Sequence, residues 1–182
     1  MIIVEGPDGA GKTTLVSQIE HDWDITREPK QTSAQAVSLT PPGGWIEQQL
    51  AQGFGMRLYD RFALISSPCY TMLENRTMVE PLTDPMWMKL QHYRLSQIDP
   101  VIIWCLPPLE IVKENLLRED DSGRGLIDHI EEIYLAYVAF YGAMSCCTTS
   151  QMVWDYTMPD LPHLANLIRW ANARTEREAN GG

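Results

Sequence analysis

The stretch "GPDGAGKT", residues 6–13, follows Met1-Ile2-Ile3-Val4-Glu5 and runs into "TLVSQIEHD". Its spacing is Gly-x-x-x-x-Gly-Lys-Thr. Gly6, Gly9 and Gly11 let the backbone turn tightly enough for successive N–H groups to face anionic oxygens. In such a loop the lysine, here Lys12, reaches the β- and γ-phosphates, and the Thr13 hydroxyl ligates Mg²⁺. The flanks fit the pattern. Ile2, Ile3 and Val4 predict a buried strand, and Thr14 to Asp22 predicts a helix with Leu15, Val16 and Ile19 at helical spacing. The N-terminus of that helix adds a favourable dipole for an anion. The residues expected to line bound phosphates are Gly6, Asp8, Gly9, Ala10, Gly11, Lys12, Thr13 and Thr14.

The 182 residues suit a single domain spanning 1–182, ample for a hydrophobic core. Hydrophobic residues at 45% and charged residues at 21% are ordinary for a globular protein. No apolar run reaches the ~18 residues of a membrane span, and the sequence enters a strand at once, so neither a membrane segment nor a signal peptide is expected. Cys69, Cys105, Cys146 and Cys147 lack C-x-x-C spacing, which points to a reducing cytoplasm. The histidines are scattered without a zinc spacing. A net charge of −10 argues against broad adhesion to nucleic acid, which needs basic surface, though a local basic groove remains compatible with it.

Five strands are expected: Met1 to Glu5, Trp23 to Thr26, Met56 to Tyr59, Val101 to Leu106 and Met152 to Tyr156. Short β-rich runs alternating with helical patterns predict a parallel sheet covered on both faces. Helices are expected from Asp84-Pro85 and from Pro107-Pro108, since proline suits a first helical turn. The longest helical pattern, Leu126 to Ala143, carries a stripe of Ile127, Ile130, Tyr134, Tyr137, Val138 and Tyr141, read as core packing. A last helix is expected from Asp160 and Pro162 through Arg174, with a frayed end.

In parallel α/β sheets, ligands sit beyond the carboxyl ends of the strands. The segments placed there are Gly6 to Thr13, "REPK" (Arg27 to Lys30), "DRF" (Asp60 to Phe62) and Pro107-Pro108. No N-K-x-D signal for guanine recognition is present, and the chain is short for an ATPase motor. A kinase needs a second anion site, and Arg27 and Arg61 suit it because guanidinium binds phosphate bidentately and stays charged. "LLREDDSGRGLIDHIEE", residues 116–132, joins two helices around a Ser-Gly-Arg-Gly centre. Arg118 and Arg124 there could close over a transferring phosphoryl group as a lid spanning about 118–126.

Taken in order, "VEGPDGAGKTTL", "TREP", "YDRF", "VIIWCLPPLEIVKENLLR" and the arginine lid resemble the thymidylate kinase family, in its small phage-type form. The resemblance covers most of the chain. It implies a three-layer P-loop kinase fold with a five-stranded parallel sheet flanked by helices. It also implies ATP with Mg²⁺ as donor and a deoxypyrimidine nucleotide as acceptor. By motif, Asp8 would contact the acceptor sugar, Arg27 and Arg61 its phosphate, and Asp60 would sit near both magnesium and acceptor. Gly9 stands where some members keep a catalytic arginine, and members without it use lid arginines, here Arg118 and Arg124. A homodimer and a host-cytoplasmic location are compatible with such a relative.

"REPK" departs from the family's "REPGGT", and residues 30–55 are short and rich in Pro and Gly, leaving Trp45 or Phe54 to stack on a base. This predicts a more open acceptor site. A second acceptor is then the hydroxymethyl group of 5-hydroxymethyluracil within DNA, which some phage relatives phosphorylate. That neutral alcohol should benefit from a general base, and Asp8, Glu28 and Asp60 are the carboxylates at the mapped site. A nucleotide-binding module without enzymatic activity is the reading from a different class.

Overall fold

Ile2–Glu5, entirely buried, forms β1 at the centre of a parallel sheet. A computed structural model describes residues 1–28, 56–62, 65–66, 69–70, 100–118, 124–145, 150–158 and 162–179. β1 leads through the glycine-rich loop to α1 (Lys12–Trp23), and β2 (Leu58–Asp60) then pairs with β1 in the register Ile2 to Leu58 and Val4 to Asp60. β3 (Val101–Cys105) lies on the other side of β1. It is followed by α2 (Leu109–Arg118), α3 (Arg124–Ile127) and α4 (Ile130–Met144). β4 (Gln151–Trp154) pairs with β3, and α5 (Pro162–Ala179) closes the described chain. The strand order is β2-β1-β3-β4, all parallel, and α1 packs on β1 and β2. Every residue of β1, β2 and β3 is buried. Their Ile, Val and Leu side chains each contribute about 1.5–3 kcal/mol on burial.

The fifth strand expected over Trp23 to Thr26 is not formed. Trp23 is the last residue of α1, and Asp24 ends the helix in the left-handed region at φ 51°. The chain then meets the outer side of β2 at a single parallel bridge, Arg27 to Leu58. Two bonds hold it, Leu58 N–H to Thr26 O at 3.4 Å and Glu28 N–H to Leu58 O at 2.8 Å. The described sheet therefore has four strands. The bridge sets Arg27 beside Leu58, the first residue of β2, and its guanidinium reaches Asp60, the last.

Boundaries moved elsewhere too. β4 stops at Trp154 because the Asp155 carboxylate accepts from the Thr157 N–H and hydroxyl, turning the chain. The helix expected over Leu126 to Ala143 is split at Asp128-His129. α4 buries Ile130, Ile133, Ala136, Tyr137, Phe140 and Met144, while Val138 is exposed. The expected stripe therefore packs on the core at Ile130 and Tyr137, which are buried, and at Ile127, Tyr134 and Tyr141, which are half-buried against it; it fails at Val138. Half-buried Tyr134 keeps its polar tip occupied by donating to Pro107 O at 3.0 Å. α5 continues past Arg174 to Ala179, and at 18 residues it exceeds the 15 of α4. The helix expected from Asp84-Pro85 lies outside the described residues. So does the centre of the expected lid, residues 119–123. Among the described residues, no helix is long and apolar enough to cross a membrane.

Candidate functional site

The glycine-rich loop starts where β1 ends, and its geometry depends on residues without side chains. A Cβ on Gly6 would stand 2.3 Å from the Cys105 carbonyl oxygen at the end of β3. Gly11, at φ 79°, is the N-cap of α1 and offers no side-chain cap. The first-turn N–H groups of α1 are therefore left to an acceptor from outside the helix, the arrangement that suits an anion. Thr13 and Thr14 are exposed at that turn, and Ala10 is buried beneath the loop.

Lys12 folds back over the loop, where its ammonium donates to Pro7 O, and only 6% of the residue is exposed. Burial, followed by the nearby Arg61 cation, pushes its pKa down to about 8 against the attraction of Asp8, Cys105 and Glu5. Two cations thus share a poorly solvated space. A bound anion would offset both the lost solvation and the mutual repulsion.

Arg61 follows β2 directly and is held at φ 74°, unusual for a residue with a side chain. Its guanidinium pairs with the Asp8 carboxylate, donates to the Tyr70 hydroxyl at 3.1 Å and lies 5.0 Å from the centre of the Tyr70 ring. Tyr70 in turn donates to Asp8 Oδ2 at 2.9 Å and accepts from the Asp8 N–H at 3.1 Å. Burial works to raise the Asp8 pKa, but Arg61, Lys12 and these hydrogen bonds outweigh it and hold the carboxyl below its ordinary value. Burial likewise opposes the charge of Arg61, and the surrounding acidic groups, the Tyr70 and Tyr137 hydroxyls first, overcome it.

Arg27 and Asp60 form a second ion pair, with the Asp60 side chain almost fully buried. Glu28 turns to Arg57 at 3.4 Å rather than joining these pairs. Arg118, the last residue of α2, is exposed and meets Glu114 at 3.4 Å, so in this conformation it makes an external helix contact. Arg124 begins α3, across residues 119–123 from Arg118. Trp45 and Phe54 lie outside the described residues. Among the described residues, no three His, Cys, Asp or Glu side chains gather as a metal site.

Three contributors escaped the sequence reading. Tyr70 lies nine residues beyond Arg61, and no spacing rule connects them. Asn115 of α2 donates to Gly9 O at 2.7 Å and to the Tyr156 hydroxyl at 2.6 Å, pinning the outer side of the loop. Glu5 is fully buried, with its carboxylate accepting from the Phe62 N–H and, at 3.2 Å, from the Tyr137 hydroxyl. Burial raises its pKa to about 7, against the lowering effects of the Phe62 bond, Arg61, Lys12 and Tyr137. A signal for Glu5 was present: it is an acid in a strand whose other members are apolar.

Solved structures share this fold. The fold is shared with a deoxyadenosine kinase. That enzyme, from M. mycoides with bound dATP, superposes with a TM-score of 0.57 at 16% identity, over 96% of this chain and 98% of that one. Its complex with dCTP gives 0.56 at 14% identity, over 95% and 100%. The YorR protein of Bacillus subtilis, in complex with phosphorylated GDP, gives 0.63 at 18% identity, over 100% and 98%. No protein-family model and no curated protein sequence matches the chain. At these identities the likeness establishes the α/β fold, with a parallel sheet flanked by helices.

Proposed function

We propose that the chain is an ATP-dependent kinase acting on a deoxypyrimidine nucleotide, dTMP or a 5-substituted dUMP, in the manner of thymidylate kinases. The observation that carries this reading is the Arg61–Asp8–Tyr70 cluster beside the uncapped N-terminus of α1 and the buried Lys12. One face offers backbone donors and a lysine to a triphosphate. The other offers a guanidinium already surrounded by groups that can exchange partners with an acceptor phosphate.

In this reading Gly6, Asp8, Gly9, Ala10, Gly11, Lys12, Thr13 and Thr14 surround the ATP phosphates. Thr13 and Asp60 would hold the magnesium, which would shield charge on the transferring group. Arg61 and Arg27 neutralise the acceptor phosphate, Asp8 holds its sugar, and Glu28 borders the site. Asp60, already paired with Arg27, would share its charge with the metal. Arg118 or Arg124 moves in from the lid during transfer. A monophosphate acceptor is an anionic nucleophile, so positioning and charge neutralisation carry most of the chemistry. The structural neighbours support a nucleotide-binding kinase, since solved relatives in fold hold dATP and dCTP.

Measuring ATP consumption against a panel of acceptors tests the proposal. The panel is dTMP, 5-hydroxymethyl-dUMP, the other deoxynucleoside monophosphates, the corresponding deoxynucleosides, and an oligonucleotide containing 5-hydroxymethyluracil. Turnover with the pyrimidine monophosphates is the expected result. Turnover confined to nucleosides or to the oligonucleotide would move the acceptor assignment, and ATP binding without any acceptor-dependent turnover would replace the kinase with a binding module.

A further inference from the structure

Glu5 is the buried acid for which the chemistry above has no use. It is the last residue of β1, one step past Val4, whose Cα partner in β2 is Asp60. There the two strands part. β2 turns at Arg61, where the left-handed backbone redirects the next N–H away from the ladder. The Arg61 N–H donates to Val4 O at 3.0 Å, and the Phe62 N–H donates to the Glu5 carboxylate. The two peptide N–H groups on either side of the Arg61 Cα are thus both tied to consecutive residues of β1. The other Glu5 oxygen is fixed from the opposite direction by Tyr137 of α4.

A side-chain-bearing residue in the left-handed region needs such restraint, because its relaxed backbone lies elsewhere. The direction of the Arg61 side chain depends on that backbone. Its contacts with Asp8 and Tyr70 follow from the turn and do not by themselves explain it.

We propose that Glu5 is a positioning residue for Arg61: by accepting the Phe62 N–H it holds Arg61 in its left-handed turn and aims the guanidinium at the acceptor. This rests on the reading of Arg61 as an acceptor-side residue. Glu5 touches neither substrate. Its carboxyl group acts through the backbone bond to Phe62, from behind the loop.

The test compares Glu5→Gln, which retains an oxygen for the Phe62 N–H, with Glu5→Ala, which does not. In steady-state assays Glu5→Ala should raise the acceptor KM about tenfold or more, the scale of a misplaced binding group, with ATP KM changed less than about twofold. Glu5→Gln should restore most of the loss. Combining Glu5→Ala with Arg61→Ala should cost no more than Arg61→Ala alone, since both remove one interaction. Equal losses in kcat for the Gln and Ala variants would make Glu5 a proton acceptor and overturn the proposal. An unchanged acceptor KM, or full additivity with Arg61→Ala, would overturn it as well. A crystal structure of Glu5→Ala supplies a readout independent of turnover. Arg61 should leave the left-handed region, and retention of that turn sinks the positioning role. A wild-type protein inactive on every acceptor would instead count against the kinase reading.

Discussion

Glu5→Gln should flatten the dependence of stability on pH. The ordinary carboxyl value is 4.5, and burial in the folded protein raises it to about 7. Between those values the folded chain keeps a proton that the unfolded chain has released, so stability falls as pH rises through the window. Below pH 4.5 both states are protonated and the penalty is absent. Above about 7 both are ionised and it is complete. At about 1.36 kcal/mol per pKa unit, the full penalty is ~3 kcal/mol, of which roughly 2 kcal/mol falls between pH 5 and 7.5. Glutamine carries no such proton. Urea unfolding of both proteins at the two pH values gives the difference directly, with the other titrations largely cancelling. Asp8 titrates below this window, and Lys12, lowered to about 8, only begins to lose its proton at the upper edge. Relative to wild type, the variant should gain about 2 kcal/mol on going to pH 7.5, which for a chain of this size is a Tm shift of about 4–8 °C. A stability difference that stays the same at both pH values would refute the assignment of a protonated, buried Glu5.

Lys12→Ala should fold normally and lose about 10²-fold or more of phosphoryl transfer, the scale of removing one preorganised donor, as checked by single-turnover assays with saturating ATP. Gly6→Ala should lose at least about 2 kcal/mol by thermal unfolding, because its Cβ would collide with a backbone oxygen of β3 in a backbone region hostile to side chains. Gly142→Ala is the matched control. Its Cβ meets nothing within 4 Å, so it should gain roughly 0.5–1 kcal/mol from helix propensity.

The central strands and the loop were legible because their patterns are local. An apolar run, a glycine spacing and a helical repeat each lie within a dozen residues, and the parallel-sheet rule then placed Arg27, Asp60 and Arg61 near the loop. What was not legible needs tertiary contact. Tyr70 reaches Asp8 across 62 positions, Asn115 reaches Gly9 across 106, and Tyr137 reaches Glu5 across 132. The missing fifth strand has a local cause that propensity does not capture. Trp23 is an ordinary strand former, yet α1 continues through it until Asp24 breaks the helix. The core face of α4 was legible except at Val138, and the structure widens it with Ile133, Ala136, Phe140 and Met144.

The tight seat of Gly9 also bears on which sequences can be reached from this one. Its carbonyl is taken by Asn115, and a Cβ there would stand 2.8 Å from Val112 O and 3.1 Å from Leu116 Cγ. An arginine at this position, as carried by some thymidylate kinases, cannot simply be grafted in, because α2 occupies the exit. Shortening Leu116 relieves only one of the two contacts, and the other, to the Val112 backbone, needs α2 itself to retreat. A selection for loop-borne arginine from single mutants should return nothing. A library varying positions 9, 112, 115 and 116 together opens a route that one-at-a-time change leaves closed.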